Sequence, residues 1–152
     1  MRQYRSILVC VKSIEQAAHN LAYLEPISRA SQTRHVHLLH ARPVGHDTVE
    51  LTPDDLRELA AAHFRGHGRE TIITKVIDRP PLMEILRYAL EQEIDLILAG
   101  RRGGNGKAGG YEASLVPRVT RKATCSVLVL PENAEPGIER ILVPVGEQGL
   151  AI

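Results

Sequence analysis

The sequence is poor in aromatic residues, which argues against one class of binding surface. Tryptophan is absent, and aromatic residues make up only 3% of the 152-residue chain. Proteins that bind single-stranded nucleic acid usually stack the bases on aromatic side chains. The 19 lysines and arginines nearly balance the 18 aspartates and glutamates, for a formal net charge of +1. Composition therefore gives no reason to expect a nucleic acid or an anionic membrane as partner.

Cysteines and long apolar runs are also scarce. Cys10 and Cys125 are the only cysteines, and each lies in a predicted strand without Cys-x-x-Cys or zinc-ligand spacing. We expect buried free thiols in a reducing cytosol rather than a disulfide. No apolar run approaches the roughly 18 residues of a membrane-spanning helix. Residues 1–6 lead into a strand without the apolar core of a signal peptide, so we expect a cytoplasmic protein.

Histidines are more plentiful, but their spacing does not predict a metal site. His35 and His37 share one face of a predicted strand, and His40 lies on the other. No glutamate or cysteine nearby completes a ligand set, so we expect structural or surface histidines.

The sequence also lacks the features of an active site. An ATP hydrolase or nucleotidyl transferase would need a general base or a metal-binding carboxylate beside a phosphate loop, and we find none. Asp95 is expected at the amino end of a strand, away from any site. Asp78 is interpreted as a turn residue. We therefore do not expect an enzyme.

Apolar strand-like runs alternate with helical patterns along the chain. Strands are predicted at residues 6–11, 36–41, 70–77, 94–99 and 125–130, and helices at 14–31, from 52 to about 66–68, 82–92 and 114–122. This alternation is typical of an α/β fold with a parallel sheet and helices on both faces. Ligands bind such sheets at the carboxyl ends of the strands, where the strand order reverses.

The most informative segment follows the fourth strand. Six of the twelve glycines lie between Gly100 and Gly110, and Ser114 is a suitable N-cap for the next helix. Backbone amides of such a loop and the helix dipole both favour an anion. Arg101, Arg102 and Lys107 add positive charge, so the segment predicts a phosphate-type site.

The spacing within this segment resembles the ATP-binding signature of the universal stress protein family. Gly100 and Gly103 are separated by two residues, and nine more precede Ala113-Ser114. The Arg118-Val119 pair and residues 123–131, ATCSVLVLP, are similar to the same family. The resemblance implies a Rossmann-like domain over residues 1–132, with five parallel strands in the order 3-2-1-4-5 and ATP as ligand.

The resemblance also implies a set of nucleotide-binding positions. Ala41 falls where the family's second strand offers backbone groups to the adenine. Gly100, Gly103, Ala113 and Ser114, with Leu115 directly after, fall at the triphosphate positions, although the family has glycine where this chain has Ala113.

Lys12 is the main departure from the family pattern. It stands where the family has an aspartate that contacts the nucleoside, and an ammonium group cannot accept a hydrogen bond. Two interpretations stay open. Lys12 reaches the phosphates, or Lys12 is solvated and nucleotide affinity has been lost.

The end of the chain resembles its beginning. Residues 140–145, RILVPV, are similar to residues 6–11, SILVCV. We interpret residues 133–139 as a linker and residues 140–152 as the start of a second, truncated universal stress protein domain. The alternative is a short extra C-terminal strand native to a single-domain protein.

Together these features predict a non-catalytic stress-response module with an ATP- or anion-binding loop. The alternative is a structural half of a tandem protein that dimerises without binding nucleotide. The expected partner is a second universal stress protein domain or a second copy, joined through the edge of the fifth strand.

Overall fold

A computed structural model describes residues 3–43, 45, 50–101, 115–132 and 134–137. Five parallel strands form one sheet in the order β3-β2-β1-β4-β5, which confirms the predicted topology. The elements in chain order are β1 (Ser6–Cys10), α1 (Ile14–Ser31), β2 (His35–Ala41), α2 (Pro53–His63), β3 (Thr71–Ile77), α3 (Pro81–Glu91), β4 (Leu96–Arg101), α4 (Leu115–Lys122) and β5 (Ser126–Pro131).

Helices cover both faces of the sheet, as the apolar strands predict. Along β1, Ile7 and Val9 pack against α1 and α2, whereas Leu8 packs against α3 and α4. All three side chains are fully buried. The alternation of side chains along a strand thus divides the core into two layers.

The start of α2 follows the signals in its sequence. The Thr52 hydroxyl accepts a hydrogen bond from the Asp55 amide at 3.1 Å, and the Asp55 carboxylate accepts one from the Thr52 amide at 2.7 Å. This capping box satisfies amides that have no acceptor within the helix, and Pro53 occupies the first helical position, where none is needed.

The end of α2 differs from the prediction. The helix ends at His63 rather than near Gly66 or Gly68. The Glu25 carboxylate on α1 accepts hydrogen bonds from the amides of Arg65 and Gly66 at 3.1 and 3.2 Å. This tertiary contact turns the chain away, and both glycines take the left-handed conformation that the turn needs.

Strand β4 is shifted along the chain relative to the prediction. It begins at Leu96 because the Asp95 carboxylate accepts hydrogen bonds from the amides of Arg5 and Ser6, both at 2.9 Å. Asp95 thus lies at the amino end of the sheet, as expected. At the other end, Gly100 and Arg101 pair with β5 and belong to the strand rather than to the loop.

Cys10 and Cys125 do not form a disulfide, as expected, but they are half-buried rather than fully buried. Desolvation, and secondarily the neighbouring Cys125, raise the pKa of the Cys10 thiol to about 12. Cys10 therefore stays protonated and poorly nucleophilic at neutral pH.

The predicted C-terminal strand, the second domain at residues 140–152 and linker residues 133, 138 and 139 lie outside the described residues. These features stay predictions. Within the part of the chain that is described, no helix has the length and apolarity to cross a membrane.

Candidate functional site

The strand order reverses between β1 and β4. From β1 the chain proceeds to β2 and β3 on one side, and β4 and β5 lie on the other. The helices that follow these two strands, α1 and α4, lie on opposite faces of the sheet, and ligands of such sheets bind in the crevice between them, at the carboxyl ends of the strands. Both Lys12 and the glycine-rich segment follow these two strands directly.

The turn after β1 is held from two sides. The Val11 amide donates to the Leu39 carbonyl at 2.9 Å, and the Val11 carbonyl lies 2.8 Å from Nδ1 of His40. Since a carbonyl only accepts, His40 carries its proton on Nδ1. Ser13 then caps α1 by accepting a hydrogen bond from the Gln16 amide at 3.3 Å. Lys12 is thus held at the carboxyl edge with an exposed side chain.

Gln16 is a residue of the crevice that the sequence analysis missed. A Cβ atom added to Gly100 would come within 2.4 Å of the Gln16 Nε2 atom. The Gln16 carboxamide therefore lies directly over the end of β4, in space that any other residue at position 100 would occupy. No local motif connects these positions, because they are 84 residues apart and meet only through the β1–β4 pairing.

Ala41 ends β2 on the other side of β1. It pairs with Ile77, and the Arg42 amide donates to the Ile77 carbonyl at 3.0 Å. The Arg42 guanidinium hydrogen-bonds the Asp78 carboxylate, which lowers the pKa of Asp78. Asp78 is therefore an ionised residue in the bend after β3, and it forms a salt bridge with Arg42, which follows β2.

The remaining predicted positions can be placed only in part. Gly103, Ala113 and Ser114 lie outside the described residues, as do Arg102 and Lys107. Leu115 is the first residue of α4 and packs on the core layer beneath α3 and α4. The structure thus brings Lys12, Ala41 and Gly100 to one edge of the sheet, together with the added Gln16. Their ligand roles stay predictions.

His37 and His40 of β2 each have a buried hydrogen-bond partner. His37 is buried, and its Nδ1 lies 2.6 Å from the Tyr88 hydroxyl on α3. Burial, and secondarily the nearby His35, lower the pKa of His37 to about 4, so the ring is neutral at pH 7. Among the described residues, no three His, Cys, Asp or Glu side chains gather as metal ligands would.

Comparison with known proteins agrees with this architecture. The model of the universal stress protein family matches residues 3–131. The chain belongs to the universal stress protein family. No protein with a curated description matches it at a significant level.

Solved structures of universal stress proteins share the fold. A universal stress protein in complex with cAMP superposes with a TM-score of 0.63 at 21% identity, covering 87% of this chain and 100% of that one. UspA from Lactobacillus plantarum gives a TM-score of 0.59 at 22% identity, with 86% and 99% covered. A universal stress protein from Archaeoglobus fulgidus gives 0.63 at 20% identity, with 84% of this chain and 44% of that one covered.

Proposed function

We propose that this universal stress protein is a non-catalytic, cytoplasmic stress-response module that binds an adenine nucleotide such as ATP at the carboxyl edge of β1 and β4. The observation that carries the proposal is the reversal of strand order between β1 and β4. Ligands of such sheets bind in a crevice at this point, and here the glycine-rich family signature follows β4. Solved family members in complex with cAMP and with dAMP support an adenine nucleotide as ligand.

The residues around the crevice favour the phosphate end of such a ligand. Lys12 supplies a positive charge at the end of β1, which pairs with β4, the strand that precedes the glycine-rich segment in the sequence. Because it cannot accept hydrogen bonds, it would act on phosphate oxygens rather than on ribose hydroxyls. In this proposal Ala41 offers backbone groups to the base. Gly100, Gly103, Ala113, Ser114 and Leu115 surround the phosphates.

A titration calorimetry experiment with ATP and magnesium tests the proposal. We expect micromolar binding to the natural chain, and weaker binding to Lys12→Ala. The matched control is Lys122→Ala, which removes an exposed lysine at the opposite end of α4. Absence of binding to the natural chain, with binding gained in a Lys12→Asp, Ala113→Gly double variant, would contradict the proposal and identify a degenerate site.

That degenerate outcome supports the second candidate function, a structural half of a tandem or dimeric protein. The specific observation in its favour is Lys12 at the position of the family's aspartate. The partner would be another universal stress protein domain or a second copy, paired along the edge of β5. Residues 126–129 of β5 are only half-buried, which leaves apolar surface for such a partner.

A further inference from the structure

Strand β3 forms the edge of the sheet opposite to β5. It is seven residues long, and β5, at the other edge of the sheet, is four strands away. The Thr71 amide donates to the Arg34 carbonyl, and the Ile77 carbonyl accepts from Arg42, so the odd-numbered residues of β3 bond to β2. By alternation, the amides and carbonyls of Ile72, Thr74 and Val76 point outward.

These outward groups have no hydrogen-bond partner within the part of the chain that the structure describes. They present three donors and three acceptors in a straight row. Such a row is a template for the backbone of another extended segment.

A charged groove lies beside this edge, on the face covered by α3. It has a volume of about 230 Å³ and is lined by three cations, Lys75, Arg79 and Arg87, and two carboxylates, Glu84 and Glu91. The cations exceed the carboxylates by one, so the groove carries net positive charge. Tyr88 forms part of its lining, with the Lys75 ammonium 5.8 Å from the centre of its ring.

Both carboxylates of the groove are already paired with arginines, so the groove is better suited to an anion than to a cation. Arg87 Nε donates to Glu91 at 2.8 Å, and Arg79 lies 3.4 Å from the mostly buried Glu84 carboxylate. Lys75 forms no salt bridge with any described residue. Lys75 extends from the edge strand itself, where its ammonium lies over the Tyr88 ring and is attracted to Glu91 without forming a salt bridge with it. An incoming anion can therefore still form a salt bridge with Lys75.

We propose that the β3 edge binds an extended acidic segment of another protein by adding it to the sheet as a sixth strand. Its backbone pairs with the outward groups of Ile72, Thr74 and Val76. Its alternate side chains project over the groove, where carboxylates meet Lys75 and the exposed arginines. A second copy of this chain is a poorer partner, because a lysine on an edge strand opposes pairing between like strands.

The first test uses a fluorescently labelled peptide in which glutamate and valine alternate, with a lysine–valine peptide as control. We expect saturable binding of the acidic peptide only, weakening with added salt. Lys75→Glu should weaken it by about tenfold or more, whereas Arg121→Glu, the same charge reversal on α4, should leave it unchanged. Equal binding of both peptides, or no binding, overturns the proposal.

The second test separates strand addition from simple charge attraction. Thr74→Pro removes one outward donor and no bond to β2, a position where an edge strand tolerates proline. Among the described residues the Thr74 hydroxyl has no hydrogen-bond partner, so its removal leaves no other polar group unpaired. We expect weakening of about tenfold with an unchanged circular dichroism spectrum.

Hydrogen exchange provides a readout that does not depend on the folding of a variant. The acidic peptide should slow exchange of the amides of Ile72, Thr74 and Val76 in the natural chain. If inorganic phosphate displaces the peptide and these amides stay unprotected, the groove is an anion site only, and strand addition is wrong. ATP binding at the carboxyl ends of β1 and β4 is measured separately, so the two proposals fail independently.

Discussion

At Gly100 a side chain would come into contact with Gln16. Its backbone does not take the left-handed conformation, but the Gln16 side chain lies where a Cβ would be. An alanine at this position is therefore conformationally allowed but crowded, and Gln16, being long and flexible, can move at moderate cost.

We predict that Gly100→Ala lowers the free energy of unfolding by about 1 kcal/mol, because it displaces the Gln16 carboxamide. Gln16→Ala should cost little by itself and should rescue Gly100→Ala in the double variant. Urea unfolding of the four proteins measures the coupling. Additive effects of the two substitutions would show that Gln16 does not occupy this space in solution.

A second residue-scale prediction concerns His37 and pH. Its pKa of about 4 in the folded protein lies below its ordinary value of 6.5. Between these values the unfolded chain binds more protons, so stability rises with pH across this window and is lost on acidification. We expect His37 to contribute a loss on the order of 2 kcal/mol between pH 6.5 and pH 4.

Unfolding measured across this pH range, for the natural chain and for His37→Gln, tests the assignment. The variant retains a polar side chain for Tyr88 but cannot titrate, so its stability should depend less on pH. An NMR titration midpoint of the His37 ring near 6.5 would contradict the buried, neutral histidine.

At the scale of elements, one buried carboxylate connects α1 to the turn before β3. Glu70 accepts hydrogen bonds from the Ser28 hydroxyl at 2.7 Å and from the His67 amide at 2.9 Å. Burial alone would raise the pKa of Glu70, but these hydrogen bonds and the nearby His67 lower it. The carboxylate thus provides the turn amides with hydrogen bonds that replace those they would make to water in the unfolded chain.

We predict that Glu70→Gln destabilises the fold by about 2 kcal/mol at pH 7. The glutamine side chain replaces one acceptor oxygen by an NH₂ group, and this donor would face the backbone amides that now donate to the carboxylate. Glu58→Gln, on the exposed face of α2, is the matched control and should be nearly neutral. Because the Glu70 pKa is lowered, its contribution is present at neutral pH and is lost as pH falls through the folded pKa. A variant as stable as the control would refute this role.

At the scale of the whole molecule, the proposed pairing along β5 predicts the oligomeric state. Val129 is half-buried in the single chain and would lie inside an edge-to-edge interface. We expect light scattering to show a dimer for the natural chain and a monomer for Val129→Lys, since lysine on an edge opposes pairing. A monodisperse monomer of the natural chain at high concentration would exclude this interface.

Local signals in the sequence predicted the elements and the order in which they occur. The predicted bounds of α1 match the structure, and the capping box at Thr52 was readable from residue types alone. The predicted ends of helices and strands were wrong where a side chain distant in the sequence determines them. Glu25 ends α2 early, and Asp95 delays β4 until Leu96, and neither contact has a local signature.

The candidate site likewise has features that depend on neighbouring residues in the sequence and features that depend on tertiary contacts. The sequence by itself determined the family, through the glycine spacing and the alternation of apolar strands, because these depend on residues close together along the chain. It also identified Lys12 as the departure from the family pattern. Only the tertiary structure showed Gln16 over Gly100 and the cationic groove beside β3. Both depend on which strands become neighbours, and that is decided by how the whole chain buries its apolar faces in one sheet.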